Sequence, residues 1–159
     1  MSKIDVDETI RDLEAGKTPE WISAHVRIYR ESGGADGHLW DGSSVGIPRR
    51  LPCLLLTTIG RRSGEKRTSP VLYGTAGNAY VVIGSKGGAD THPNWYLNLR
   101  GNPVVEVQVA NDRFHARARV VTGRERDEIW QKMIEEYPFF SEYQKKTKRQ
   151  IPVIMLEKQ

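Results

Sequence analysis

The residues CLLLTTIGRRSGEKR at positions 53–67 carry the strongest structural signal in this chain. They begin with an apolar run typical of a buried strand, and a glycine-broken basic turn then leads into a second strand over Lys66–Tyr73. The same arrangement recurs where AYVVI at 79–83 runs into the turn GSKGG at 84–88. We therefore expect a sheet in which short, glycine-rich turns join neighbouring strands.

Outward from this segment, the apolar spacing predicts further strands and helices. A hairpin turn at 75–78 leads into a strand at Ala79–Ser85, and further strands are predicted at Val104–Val109, Arg113–Val121 and Ile151–Leu156. Helices are predicted at 7–14, from Glu20 to Gly33, at Pro93–Arg100, from Thr122 to about Tyr137 and at Phe139–Lys146. About six strands with mostly hairpin connections indicate an α+β protein built on an antiparallel barrel.

Two helix starts carry recognisable capping signals, and one long segment carries none. Thr18 before Pro19 is a hydroxyl cap followed by proline at the first helical position. Thr122 with Glu125 predicts a capping box. The segment 33–48, rich in glycine and polar residues, is predicted to be a loop.

Composition limits the classes of protein to which the chain can belong. With 159 residues and a net charge of +4, it is expected to be one domain, and the small charge excess does not indicate a nucleic-acid partner. The single Cys53 lies in a leucine run and excludes an intrachain disulfide. Four dispersed histidines predict no metal site. We expect a soluble cytoplasmic protein, with peripheral membrane contact and oligomeric state left open.

The two basic turns predict a site for an anionic small molecule. Glycines let the backbone approach a ligand closely, and arginine offers forked donors that suit phosphate and carboxylate. Arg61, Arg62 and Arg67 fall within the first turn, and Lys86 falls within the second. A second cluster, with Tyr137, Phe139, Phe140 and Tyr143, is either a core stripe or a flat pocket wall, and the sequence leaves both readings open.

Several blocks of this sequence together resemble one known family. They are LLLTTIGRRSG at 54–64, SKGG at 85–88, PNWYLNL at 93–99, YP at 137–138 and IPV at 151–153. In this order they closely resemble the deazaflavin (coenzyme F-420)-dependent nitroreductase family, the A branch of the F-420-dependent oxidoreductases. The resemblance extends from about residue 48 to residue 157, and the first 47 residues lie outside it in any detail.

The resemblance implies a fold, a cofactor and a reaction. The fold is a split β-barrel, mainly antiparallel, of about six strands with peripheral helices. Residues 1–47 would supply N-terminal helices and a loop that pack on the barrel, and 48–159 would form the deazaflavin-binding part of a single domain. The implied reaction is hydride transfer from reduced F-420 to a planar electron-poor acceptor, such as a quinone, enone or unsaturated lactone.

The family's functional positions carry over to residues of this chain. The resemblance implies catalytic roles for Tyr137, Tyr143 and Ser85. It implies cofactor binding by Leu55, Thr57, Arg61, Arg62, Arg67, Pro70, Leu72, Ser85, Lys86, Gly87, Gly88, Trp95 and Asn98. Phe140 stands where members that activate nitroimidazoles have a tyrosine, so we expect quinone or enone acceptors rather than nitroimidazoles.

Two other functions remain compatible with the sequence. One is an FMN-dependent oxidase or reductase of the pyridoxamine-oxidase type, which would use a similar barrel. The other is a non-catalytic carrier that binds F-420 without turnover. A comparison of F-420 binding with FMN binding distinguishes an F-420-dependent enzyme from the FMN-dependent one. Turnover of reduced F-420 distinguishes an enzyme from a carrier.

Overall fold

The computed structural model describes residues 3–159 and shows a closed antiparallel barrel. Its strands are β1 (Leu39–Asp41), β2 (Arg50–Ile59), β3 (Lys66–Ala76), β4 (Ala79–Ile83), β5 (Val104–Val109), β6 (Asp112–Val120) and β7 (Val153–Lys158). The order is β1-β2-β3-β4-β7-β6-β5, and β5 pairs back to β2 through Leu55–Thr57 and Glu106–Gln108. Six strands therefore close the barrel, and the predicted α+β antiparallel barrel is confirmed.

Five α-helices lie around the barrel. They are α1 (Val6–Glu14), α2 (Glu20–Glu31), α3 (Asn94–Gly101), α4 (Gly123–Glu136) and α5 (Phe139–Lys145). Their positions agree with the sequence predictions to within a few residues. No helix among residues 3–159 combines the length and the apolar character needed to cross a membrane.

The segment 33–48 is more ordered than the predicted loop. Strand β1 pairs antiparallel with the start of β2, from Leu39 opposite Pro52 to Asp41 opposite Arg50. A short 3-10 helix, Gly42–Val45, follows, and the Asp41 side chain caps it by accepting from the Ser43 N–H at 3.0 Å. A three-residue strand is too short for periodicity to reveal, so only its partner in β2 defines it.

Alternate residues of the strands separate the apolar side chains into two clusters. Val82 of β4 joins Leu54 and Leu56 of β2 in the cluster enclosed by the barrel. Val81 and Ile83 point the other way, into a cluster completed by residues of α4 and α5. The outer face of β4 is thus covered by the C-terminal helices.

Helix α2 is fixed to the barrel by one buried tyrosine. The Tyr29 hydroxyl donates its one proton to the Cys53 carbonyl oxygen at 2.9 Å, lies 3.2 Å from the Gln108 carbonyl oxygen, and accepts from the Ala110 N–H at 2.9 Å. Burial raises the pKa of Tyr29 to about 12. This contact joins α2 to both β2 and the turn after β5.

Neither predicted helix cap forms as expected. Helix α2 begins at Glu20 with Pro19 as its capping residue, and the Thr18 side chain makes no capping bond. Thr122 precedes α4, but its side chain also makes no cap. The Glu125 carboxylate instead accepts from the Arg119 guanidinium at 2.7 and 3.0 Å. A charge-assisted bidentate pair replaces the predicted capping box, and this corrects the prediction.

Candidate functional site

A cavity of about 680 Å³ lies against the outer wall of β3, between the N-terminal helices and α5. The two glycine turns predicted from the sequence meet at this cavity, although residues 68–83 separate them. The first turn contributes residues 60–63 and Arg67, and the second contributes Ser85, Lys86 and Gly87. The fold thus brings both basic turns to one site.

Arg61 is held at the cavity by a buried amide from α3. Asn98, only 4% exposed, accepts from the Arg61 backbone N–H at 3.2 Å and from Nη1 at 2.9 Å. The Asn98 Nδ2 donates to Thr58 Oγ1 at 3.1 Å, so both ends of the amide are satisfied. Arg61 Nη2 also lies 3.5 Å from Asn94 Oδ1. The guanidinium is therefore oriented before any ligand arrives.

Two further arginines border the same cavity and are exposed. Arg67 pairs with Glu65 at 3.2 Å on the surface, where side chains of both residues are more than half exposed. An exposed ion pair of this kind contributes little stability, so Arg67 is available to a bound anion. Arg62 lies beside them in the turn. The mouth of the cavity is a concentration of positive charge.

The second turn brings a serine and a lysine to the cavity. Ser85 is buried, and Lys86 has a φ of +46°, which is uncommon for a residue with a side chain. The Lys86 ammonium donates to Thr91 Oγ1 at 3.0 Å and lies 3.7 Å from the Glu14 carboxylate of α1. Burial lowers the pKa of Lys86. Lys86 thus links the turn to the N-terminal helix.

Aromatic rings from both ends of the chain line the cavity. On the C-terminal side, Phe139 and Phe140 have ring centroids 4.8 Å apart, and Tyr143 lies 5.7 Å from Phe139. On the N-terminal side, Trp21 and Trp40 stack at 5.7 Å with 21° between their planes. These flat, apolar surfaces suit a planar ligand.

Most of the predicted cofactor-binding residues line this cavity. They are Arg61, Arg62, Arg67, Pro70, Leu72, Ser85, Lys86, Gly87, Trp95 and Asn98. Leu55 and Thr57 do not, because they face a smaller groove that also involves Arg30 and Glu106. Leu55 and Thr57 pair with Pro70 and Thr68 of β3, which line the cavity, but they lie one strand further along the sheet, beside β5. Their contact with a cofactor stays a prediction.

Gly88 also lies outside the cavity lining. It packs under α5, where an added Cβ would come within 2.8 Å of the Tyr143 carbonyl oxygen. Its φ of +86° is in the left-handed region. Gly88 therefore allows close approach of α5 and the turn, and its contact with a ligand stays a prediction.

Tyr137 does not face the cavity. Its side chain is fully buried, and its hydroxyl donates to the Tyr73 carbonyl oxygen at 3.0 Å. Burial raises the pKa of Tyr137, and the Arg49 guanidinium lies 5.2 Å from its ring centroid. In this structure Tyr137 joins the end of α4 to β3, and its role as a donor to a bound molecule stays a prediction.

Tyr143 keeps the position expected of a hydrogen-bond donor. It lines the cavity from α5 and is half-buried. Burial raises the pKa of Tyr143, so its hydroxyl holds its proton at neutral pH. Ser85, the other predicted catalytic residue at the cavity, belongs to the second glycine turn.

The N-terminal segment also lines the cavity, which the sequence alone did not reveal. Trp21 and Trp40 line the cavity, as do residues on one face of α1, namely Val6, Ile10 and Leu13. Helical spacing of apolar residues signalled that α1 and α2 bury a face, but not which surface the face covers. Among residues 3–159, no group of histidine, cysteine or acidic side chains is placed to hold a metal ion.

Comparisons with known proteins agree with this geometry. A sequence model of the F-420H2-dependent quinone reductase family matches residues 21–158. The F-420H2-dependent quinone reductase Rv1261c of Mycobacterium tuberculosis is 36% identical over 149 residues, covering 92% of this chain and 95% of the relative.

Two solved structures share both fold and sequence with the chain. One is an F-420H2-dependent reductase, FDR-A, with 41% identity and a TM-score of 0.62 over 67% of this chain and 94% of that one. The other, described as a domain-swapped dimer, has 35% identity and a TM-score of 0.64 over 87% of this chain and 98% of that one.

Proposed function

Because the chain belongs to the F-420H2-dependent quinone reductase family, we propose that it transfers a hydride from reduced coenzyme F-420 to a planar, electron-poor small molecule. The chain is thus an F-420-dependent oxidoreductase, and the acceptor is a quinone, an enone or an unsaturated lactone. The observation that carries the proposal is one cavity that joins three arginines to an aromatic wall. A ligand with a flat ring and several negative charges matches both parts.

The residues at the cavity fit the coenzyme's chemical groups. F-420 has a flat tricyclic ring, a phosphodiester and a tail of glutamates. Arg61, Arg62 and Arg67 provide forked donors for the phosphate and carboxylates at the mouth. Ser85 and Gly87 provide a hydroxyl and an open backbone at the second turn. Pro70, Leu72 and Trp95 provide apolar surface for the ring.

The same cavity offers a place for the acceptor beside the cofactor. When bound, F-420H2 supplies the hydride, and negative charge then develops on the acceptor oxygen. The Tyr143 hydroxyl is the residue we assign to donate a hydrogen bond to that oxygen, with Ser85 as a second donor. Phe139, Phe140 and the two tryptophans exclude water and orient the flat acceptor.

The assignment is tested with the purified protein and two flavin-like ligands. Fluorescence titration with F-420 is expected to show saturable quenching, whereas FMN is expected to give none at equal concentration. Oxidation of F-420H2 by a soluble quinone, followed by the cofactor's absorbance, is expected to be protein-dependent. Tight FMN binding without a response to F-420 contradicts the assignment, and F-420 binding without turnover indicates a carrier.

Self-association and compartment are part of the same proposal. The similar chain described as a domain-swapped dimer leads us to propose that this chain also forms a dimer in solution, which sedimentation or light scattering measures. We propose that the reaction takes place in the cytoplasm, where the buried free thiol of Cys53 is stable.

A further inference from the structure

Arg149, which follows α5, contacts the backbone of the second glycine turn from behind. Its Nε donates to the Ala89 carbonyl oxygen at 2.8 Å, and its Nη2 donates to the Ser85 carbonyl oxygen at 2.9 Å. Nη1 donates to the Gly84 carbonyl oxygen at 3.2 Å and lies 3.2 Å from His92 Nδ1. One planar side chain thus joins three carbonyls spread over six residues of the turn.

The positive charge of Arg149 is offset only in part, by the nearby Asp90 carboxylate. In the part of the chain that the structure describes, its side-chain partners are carbonyl oxygens and one imidazole nitrogen. Burial, followed by the nearby Arg149 charge, lowers the pKa of His92, which keeps its Nδ1 as a neutral acceptor. An arginine in such surroundings stays protonated, so the Arg149 charge lies directly behind Ser85, with Asp90 as a nearby counter-charge.

The turn needs support because its backbone is unusual. Lys86, Gly87 and Gly88 have φ values of +46°, +63° and +86°, so three consecutive residues lie in the left-handed region. For Lys86 this conformation is unfavourable on its own, and surrounding contacts must maintain it.

Arg149 is itself held in place. The Gln144 side chain of α5 donates to the Arg149 carbonyl oxygen at 2.8 Å and accepts from the Ile151 N–H at 2.9 Å. The segment 149–151 is therefore fixed to α5. The Arg149 side chain, held by this segment, bonds in turn to the backbone of the second glycine turn.

We propose that Arg149 is a positioning residue for the cofactor site: it fixes the 84–89 backbone so that Ser85 and Lys86 face the cavity, and it adds positive charge behind them. The proposal rests on the proposed function, since the anion that benefits is that of F-420. Arg149 itself does not line the cavity, so this proposal adds a supporting residue to the site.

The test compares Arg149→Met, Arg149→Lys and the matched control Arg124→Met, whose side chain is 92% exposed and pairs only with Glu128. We expect Arg149→Met to raise the Kd for F-420, measured by fluorescence quenching, by about tenfold, the scale of one charge-assisted hydrogen bond. Arg149→Lys is expected to recover part of the affinity because it restores the charge without the fork. In both variants the KM for F-420H2 is expected to rise more than the KM for the quinone.

The outcomes separate this proposal from the proposed function. If the wild-type chain does not bind F-420, the proposed function fails. If the wild type binds F-420 and both Arg149 variants bind it equally well, the positioning role is overturned. If Arg149→Met does not fold, Arg149→Lys decides alone. A higher Kd with an unchanged melting temperature supports the role, and an unchanged Kd overturns it.

Discussion

At the scale of single residues, a neutral amide governs the geometry of a charged site. Asn98 is buried in α3, and both of its polar atoms are bonded, to Arg61 on one side and to Thr58 on the other. A guanidinium held in this way loses less side-chain freedom when it binds an anion. Arg61 is therefore the arginine from which we expect the largest effect on cofactor binding.

Replacement of Arg61 tests this expectation. Arg61→Ala is expected to weaken F-420 binding by about 1–3 kcal/mol, the usual scale for hydrogen bonds to charged groups. The change should appear mainly as a higher KM for F-420H2, because the anionic groups are remote from the reacting carbon. Steady-state kinetics and titration measure it, with Arg117→Ala, an exposed residue of β6, as control. Equal affinity in the two variants shows that the anion binds elsewhere.

Phe140 determines how many donors the aromatic wall offers. Its ring lines the cavity at 3% exposure and meets Tyr137 edge-on at 5.9 Å. We expect the wild-type chain to reduce quinones or enones and to be poor on bicyclic nitroimidazoles, because a nitro group needs charge stabilised on its oxygens.

Phe140→Tyr is expected to improve nitroimidazole reduction by about tenfold, the worth of one good hydrogen bond, and to change quinone reduction less. Parallel assays with both acceptors measure this selectivity, and thermal unfolding checks that the added hydroxyl is accommodated. Efficient nitroimidazole reduction by the unmutated protein contradicts the argument.

At the scale of elements, helix α1 is attached to the site by an ion pair. Glu14 accepts from Thr91 Oγ1 at 2.7 Å and lies 3.7 Å from Lys86 Nζ, so its carboxylate competes with any anion for the same ammonium. Val6 and Ile10 of α1 lie close to Gly87, within 3.4 and 3.6 Å of the position of an added Cβ. α1 therefore covers the turn that the cofactor must reach.

Glu14→Gln is expected to strengthen F-420 binding about two- to fivefold, since a pair 3.7 Å long with a partly exposed carboxylate is worth about 1 kcal/mol or less. Titration by fluorescence measures this, and Glu8→Gln, an exposed substitution on the same helix, is the control. Weaker binding in Glu14→Gln but not in Glu8→Gln shows instead that α1 must stay closed to hold the cofactor.

Tyr29, which anchors α2, gives stability a dependence on alkaline pH. The folded pKa of about 12 lies above the ordinary value of 10.0, so the folded state binds the proton more tightly. The free energy of unfolding is therefore greatest below pH 10 and decreases as pH rises from 10 towards 12.

Tyr29→Phe is expected to lower the free energy of unfolding at pH 8, because the donor bond to Cys53 and the acceptor bond from Ala110 are lost, and to flatten its decrease above pH 10. Urea unfolding at pH 8, 10 and 11 measures both effects. Cys53, whose pKa is also raised to about 12 by burial, interacts electrostatically with Tyr29, so the difference between the two pH slopes includes that interaction. Identical pH slopes contradict the assignment to Tyr29.

The sequence revealed long elements and missed what depends on tertiary contacts. Strands β2 to β7 and all five helices carry local periodicity, so they were predictable. Strand β1 depends on pairing with β2, and the unused Thr122 cap depends on Arg119 attracting Glu125. Leu55, Thr57 and Tyr137 lie outside the cavity, because local sequence does not show which strand, or which face of an element, borders it.

At the scale of the whole molecule, the site is assembled from segments that are distant in the sequence. Trp21 and Trp40 come from the N-terminal 47 residues, the charged turns from the middle and Phe140 from near the end. We propose that residues 1–47 and 48–159 form a single domain, with the N-terminal helices packed on the barrel.

Removal of residues 1–47 is expected to destabilise the remainder as well as the site, because Tyr29 and the Trp40 contacts with the outer cluster are lost. Thermal unfolding and limited proteolysis of the 48–159 fragment measure this against the full chain. A fragment with an unchanged melting temperature shows that the barrel is an independent unit and contradicts the single-domain proposal.

The position of β7 has a consequence for synthesis. This strand, Val153–Lys158, is the last strand of the chain, yet it lies between β4 and β6 in the middle of the sheet order. While the ribosome still holds these residues, β4 and β6 each lack a neighbour and the barrel remains open. The nascent chain can form the β2–β3–β4 meander early, but closure must wait until residue 158 has left the exit tunnel.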